Sequence, residues 1–159
     1  MSLVSLLPNP IHFLALGFGS GLAPKAPGTF GTLAAIPVVW LAQQTGSWGY
    51  LALTLLAVVA GIGICSYTAK AMGEHDSPAI VWDEIAGYMV AFIGLPFTWQ
   101  NLLLAFILFR LFDIAKPGPI GWCDRKLHGG LGIMADDVVA GVATAITLQL
   151  GLIGFNLLN

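Results

Sequence analysis

The chain has 159 residues, of which 57% are hydrophobic and only 9% charged, and its net charge is −2. Soluble domains carry about 25% charged residues. The composition therefore excludes a free cytosolic enzyme and a disordered chain, and two cysteines exclude a disulfide scaffold. So slight a charge gives no basis for nucleic-acid binding. What remains is an all-α integral membrane protein: one domain over residues 1–159, a bundle of about five to six helices, some of them short or kinked. Cys65 and Cys123 read as small apolar fillers.

Residues 1–24 contain no Lys or Arg and do not resemble a signal peptide. Pro8-Asn9-Pro10 predicts a turn. Residues 11–23 predict an apolar helix lying in the interface or tucked beneath the bundle. Residues 30–43 are short and contain Pro37, so they cross with their flanks included or kink into the bundle. Residues 48–69 are a span of ordinary length, with Trp48 and Tyr50 at the interfacial position. The stretch 85–112 is interrupted by Leu95-Pro96. Proline removes a donor and disfavours helix in the residue before it, so two short helices are predicted, 83–95 and 100–115, joined by a turn at an aqueous surface. Residues 138–158 form the last span.

No charge falls in 26–69, 85–109 or 138–159. With crossings at 29–43, 48–69, 84–95, 100–112 and 138–158, Lys25 and the loops 70–84 and 110–137 emerge on one side. All six Lys and Arg then lie on that side, and the positive-inside rule makes it cytoplasmic. His12, Glu74, His75 and Asp76 show no partner pattern and read as loop or interface residues.

The remaining polar residues form clusters. Asp83-Glu84 opens an apolar helix, with Gly87 one turn beyond Asp83; Asp136-Asp137 repeats the form, with Gly141 one turn beyond Asp137. Acids at a helix start favour the macrodipole, but carboxylates entering a membrane are expensive and mark function. A small residue one turn in lets another helix approach closely. Two such helices packed together would converge their carboxylates around a cation, and oxygen-only ligation suits Mg2+ or Mn2+. Arg110, Asp113 and Lys116 fall within an arc of about 120° on one helix face, stopped by Pro117. They read either as a structural Arg–Asp pair with a snorkelling lysine, or as Asp113 joining the metal site while Arg110 and Lys116 hold a phosphate. Residues 124–134 are a Gly-rich stretch with Arg125, Lys126 and His128. The two cations serve topology or phosphate equally well, and His128 orients a phosphate or passes a proton. Pro27-Gly28-Thr29 before an apolar helix reads as a cap, or as amides offered to an anion. A carboxylate-held divalent ion beside fixed cations, where helices leave the bilayer, points to a metal-dependent enzyme acting on a lipid phosphate. No G-x-S-x-G elbow and no C-x5-R loop is present.

Segments 19–37 (GSGLAPKAPGTFGTLAAIP), 80–88 (IVWDEIAGY), 109–120 (FRLFDIAKPGPI) and 124–141 (DRKLHGGLGIMADDVVAG) resemble phosphatidylglycerophosphatase A, over about residues 10–145. The resemblance implies an all-helical, multi-pass enzyme of the bacterial inner membrane with its active site facing the cytoplasm. It implies Mg2+-dependent conversion of phosphatidylglycerophosphate to phosphatidylglycerol and inorganic phosphate. Residue by residue, it implies metal ligation by Asp83, Glu84, Asp113, Asp136 and Asp137, with Asp83, Asp113 and Asp137 catalytic. Phosphate binding falls to Arg110, Lys116, Arg125, His128 and Thr29. The partners are the phospholipid substrate and the bilayer, with no nucleic acid; no oligomeric state is specified. A metal-activated water attacks phosphorus, with Asp113 as covalent nucleophile the alternative. The competing readings are a broader lipid phosphomonoesterase acting on phosphatidic acid and a non-enzymatic cation transporter or scaffold. A transporter would carry its acids near the bilayer midplane, whereas here they cluster near helix ends.

Overall fold

The computed structural model describes residues 3–74 and 77–158; His75 and Asp76 lie outside the described residues. Seven α-helices follow one another: α1 (Pro10–Ala15), α2 (Pro27–Gln43), α3 (Gly46–Met72), α4 (Trp82–Ala91), α5 (Trp99–Ala115), α6 (Pro119–Lys126) and α7 (Gly129–Leu158). Short 3-10 helices occupy Leu3–Leu6 and Gly17–Leu22, and there is no strand among the described residues.

The central element is the short α4. Every residue from Ile85 to Ala91 is buried, and α2, α3, α5 and α7 all pack against it. Tyr88, Phe92 and Phe109 make a fully buried aromatic group at its heart. The outer surface is apolar instead: Leu55, Leu56, Val59, Leu104, Ile107 and Ile146 are exposed. In water this surface would aggregate; against acyl chains it is matched to its solvent. Two helices, α3 and α7, are each long and apolar enough to cross a membrane.

At 1.5 Å per residue, α4 is about 15 Å long, half the thickness of a bilayer core. It ends at Ala91, short of the predicted residue 95, and the turn that follows is exposed from Pro96 to Gln100, as a turn at an aqueous surface predicts. The break frees backbone carbonyls, and an unpaired one is costly wherever it is buried. Side chains from four helices satisfy them. Tyr50 of α3 donates to the Met89 carbonyl at 2.7 Å, and Gln149 of α7 to that of Ile93 at 2.8 Å. Gln43 of α2 donates to the Leu95 carbonyl at 2.8 Å, and Asn101 of α5 to that of Pro96 at 3.0 Å.

The structure departs from the sequence reading in four places. The expected helix over 11–23 breaks after α1, because Gly17, Phe18 and Gly19 all take positive φ. His12 is not a loop residue: it is 5% exposed, its Nδ1 lies 2.9 Å from the Thr68 hydroxyl, and its ring stacks on Tyr67. Residues 119–126 add the helix α6, started by Pro119 at its first turn, which brings the count above six. The Gly-rich stretch is not a ligand-cradling loop but the first turns of α7. A Cβ on Gly130 would strike the Ile62 carbonyl, so this glycine lets α7 touch α3.

The contact that matters most is between α4 and α7. A Cβ on Gly87 would lie 2.8 Å from the Asp137 carbonyl and 2.8 Å from the Phe109 ring, and one on Gly141 would strike the Gly87 carbonyl. The two helices therefore meet at backbone distance, as the paired Asp-x-x-x-Gly spacings predict. Gly141→Ala is expected to force them apart, lowering stability by about 1–3 kcal/mol. The measurement is the unfolding midpoint in detergent beside Gly151→Ala, whose glycine has no neighbour close enough to clash and whose midpoint should not fall.

Candidate active site

Asp83 and Glu84 occupy the first turn of α4, where their charge meets the positive end of the helix dipole. Asp136 and Asp137 come from α7, two turns in from its start at Gly129. They are therefore not at a helix entrance, and the dipole does not favour them; they are present because α7 crosses α4 there. Asp113 lies in the last turn of α5 and Lys116 immediately after it. With Asp124 of α6 and His128 before α7, these residues line a pocket of about 210 Å³, floored by Ser77, Ile80 and Ile133.

The carboxylates form two triads that share one member. Oxygens of Asp83, Glu84 and Asp137 lie within 4.8 Å of one another, and so do those of Asp113, Asp136 and Asp137. Asp137 is 3% exposed. Its Oδ2 has no hydrogen-bond partner, nor do Asp83 Oδ1 and Glu84 Oε2. Buried unpaired carboxylate oxygens beside others of like charge are strongly unfavourable. A hard divalent cation would relieve both faults, and the all-oxygen donor set suits Mg2+, Mn2+ or Ca2+ rather than Zn2+ or copper. The residues present fit such an ion.

Two cations hold the acids from outside. Arg110 pairs with Asp113 and lies 3.8 Å from Glu84 Oε1, tying α5 to α4. Its guanidinium packs against Gly28 at the start of α2, where a Cβ would collide with Glu84 and Arg110. Lys116 pairs with Asp124 and donates to Asp136 Oδ2 at 2.8 Å. Partial burial pushes its ammonium down, but the hydrogen bonds it donates to Asp124 and Asp136 outweigh this and hold it above the ordinary lysine range. Its backbone is left-handed, at φ 47°. That conformation costs a non-glycine residue about 1–2 kcal/mol, and it turns the side chain back into the pocket.

Comparison with known proteins identifies the family. The family model for phosphatidylglycerophosphatase A matches residues 13–152. The chain belongs to the phosphatidylglycerophosphatase A family. A relative of that name from Escherichia coli is 48% identical over 87% of this chain and 81% of its own. One from Haemophilus influenzae is 48% identical over 91% and 90%. A Bacteroides thetaiotaomicron protein, provisionally named a phosphatidylinositol-3-phosphatase, is 36% identical over 85% and 89%. No solved structure matches the chain. As a phosphatidylglycerophosphatase A member, the chain is a phosphatase.

Within this family member, the structure gathers Asp83, Glu84, Asp113, Lys116, His128, Asp136 and Asp137 at one pocket. It does not bring three other expected residues to the lining. Arg110 stands behind the acids as a clamp, as the Arg–Asp pair of the structural reading has it. Arg125 is exposed on α6, its guanidinium directed toward Gly121. Thr29 is half-buried in the first turn of α2, outside the pocket, and the part of its motif that touches the site is Gly28. Neither the cap nor the anion reading of that motif describes this contact: α2 starts at Pro27 with no side-chain cap. Two polar residues of the lining, Asp124 and Ser77, carry no role in the sequence reading. The available signal for Asp124 was Pro117-Gly118-Pro119, a turn that folds α6 back so that Asp124 meets Lys116.

Both Lys116→Ala and Lys116→Gly remove the ammonium, but only glycine relaxes the left-handed backbone. Lys116→Gly should therefore be more stable than Lys116→Ala by about 1 kcal/mol, while phosphatase activity falls equally in both. Paired unfolding and activity measurements check this.

Proposed function

We propose that this member hydrolyses the phosphomonoester of phosphatidylglycerophosphate to phosphatidylglycerol and inorganic phosphate, with Mg2+, at the cytoplasmic face of a bacterial inner membrane. The observation that carries this reading is the double carboxylate triad beside Lys116, at the end of an apolar bundle. A headgroup phosphate can enter there while its acyl chains stay in lipid. The names of the Escherichia coli and Haemophilus influenzae relatives support the substrate.

Asp83, Glu84, Asp113, Asp136 and Asp137 would hold the Mg2+. When bound, the ion neutralises phosphate charge and lowers the pKa of water it coordinates. Lys116 presents its ammonium to a phosphate oxygen, releasing Asp124 as it does so. Arg110 keeps Asp113 and Glu84 in place, and Phe109 and Met134, fully buried, hold the helices that carry them. Water oxygen bonds to phosphorus and gives up one proton as the phosphorus–glycerol oxygen bond breaks; the departing oxygen takes a proton, and the proton from water restores its donor. His128, at the exposed rim of the pocket, is the group suited to supply it. Asp113 remains the alternative nucleophile.

Purified protein in detergent micelles should release phosphate from phosphatidylglycerophosphate with Mg2+ and not with EDTA. Asp83→Ala and Asp137→Ala should each lose about 10²–10³-fold in kcat. Equal turnover of phosphatidic acid or phosphatidylinositol 3-phosphate would replace the substrate assignment with a broad lipid phosphomonoesterase, a reading the Bacteroides relative's name favours. No turnover of any lipid by folded protein would overturn the mechanism.

The topology is tested separately. In a cysteine-free background, Glu74→Cys and Lys126→Cys should react with an impermeant maleimide from the cytoplasmic face only, and Ser47→Cys from the opposite face. Labelling of positions 74 and 126 from opposite faces would overturn the pair of short crossings.

A further inference from the structure

Resting on the metal assignment above, we infer that the pocket is a two-cation centre in which the Asp137 carboxylate bridges the ions. One ion belongs to Asp83, Glu84 and Asp137, the other to Asp113, Asp136 and Asp137.

Topology supplies the first argument. The Gly87–Gly141 contact pins α7 against α4, with the Asp137 backbone lying on Gly87. The Asp137 side chain consequently stands between the acids of α4 on one side and Asp113 of α5 on the other. It is the one residue common to both triads, each confined within 4.8 Å.

Unmet bonding supplies the second. Asp137 is 3% exposed and its Oδ2 has no partner. In the first triad, Asp83 Oδ1 and Glu84 Oε2 are also unpartnered. In the second, Asp136 accepts from Lys116 and Asp113 from Arg110, each through Oδ2, and each carboxylate carries a second oxygen. Each triad can therefore offer oxygens besides those of Asp137.

Charge supplies the third. Six carboxylates, Asp124 included, face two fixed cations, Arg110 and Lys116, which leaves four negative charges. One divalent ion would leave the pocket still negative, and a phosphate dianion would have to enter against that field. Two ions bring the pocket to neutrality and remove that opposition. Shared between two ions, the buried Asp137 carboxylate is compensated on both sides.

The test uses Mn2+ alone as the probe, on full-length protein in detergent micelles, and reads binding rather than turnover. Titration followed by the free Mn2+ electron paramagnetic resonance signal should saturate at two ions per chain. The loaded protein should give an exchange-coupled spectrum. Glu84→Gln should leave one ion per chain and an uncoupled spectrum, and Asp136→Asn should do the same from the other side. Asp137→Asn should abolish coupling and weaken binding by at least about 10-fold. Saturation of the unaltered chain at one ion, or two uncoupled ions indifferent to Asp137→Asn, would overturn the inference; the unaltered chain decides the stoichiometry even if a variant fails to fold. Hydrolysis measured on the same preparation separates the two proposals: one ion with hydrolysis intact overturns only the two-cation centre, and two coupled ions without hydrolysis overturn only the phosphatase mechanism.

Discussion

At the crossing of α4 and α7 the two backbones touch, and the carboxylates that ride on them are carried to within a few ångströms of one another. Five acids at that spacing, in a bundle with an apolar exterior, repel strongly and are poorly hydrated. The fold opposes this with packing that cannot give way. Glycine at positions 87 and 141 removes the side chains that would hold the helices apart. Phe109 fills the space beside Gly87, and Arg110, one residue later, ties Asp113 and Glu84 from behind. The same residues that pack the core thereby aim the site.

That arrangement depends on α4 being short. A helix long enough to cross alone would carry its acid pair on one side and leave α5 pointing away from it. By ending at Ala91 and turning through Pro96, the chain brings α5 back beside α4, so that Asp113 and Lys116 return to the end where Asp83 began. The turn is tolerable because Tyr50, Gln43, Asn101 and Gln149 take up its carbonyls. None of these four residues lines the pocket, yet their hydrogen bonds hold the break that lets α5 return to it.

Lys116 shows how tightly the far wall is specified. Its left-handed backbone would suit glycine better, yet a lysine is present, and its ammonium spans Asp124 and Asp136. Local strain of this kind persists where the surroundings over-determine it. Here α6, folded back by Pro117-Gly118-Pro119, supplies Asp124 and α7 supplies Asp136.

Much of this was legible in the chain. Fourteen charges confined to a few short segments determine a membrane bundle, because charge is expelled from lipid wherever it is placed. Pro96 marks the break, the repeated Asp-x-x-x-Gly marks the close crossing, and the four motifs mark the family. The locations of single side chains were not legible in the same way. Arg110 and Thr29 belong to the right motifs, but which side of a helix faces the pocket depends on how its neighbours pack, and neither lines it. Residues 129–134 look like a loop because glycine-rich stretches are poor helix formers; contact with α3 and α6 makes them helical. His12 carries no periodic signal, and Thr68, its partner, lies 56 residues away. The sequence alone determined a membrane bundle, its family and the few residue types available for chemistry. Only the tertiary structure decided which carboxylates share a cation site, because that depends on contacts between helices distant in the chain.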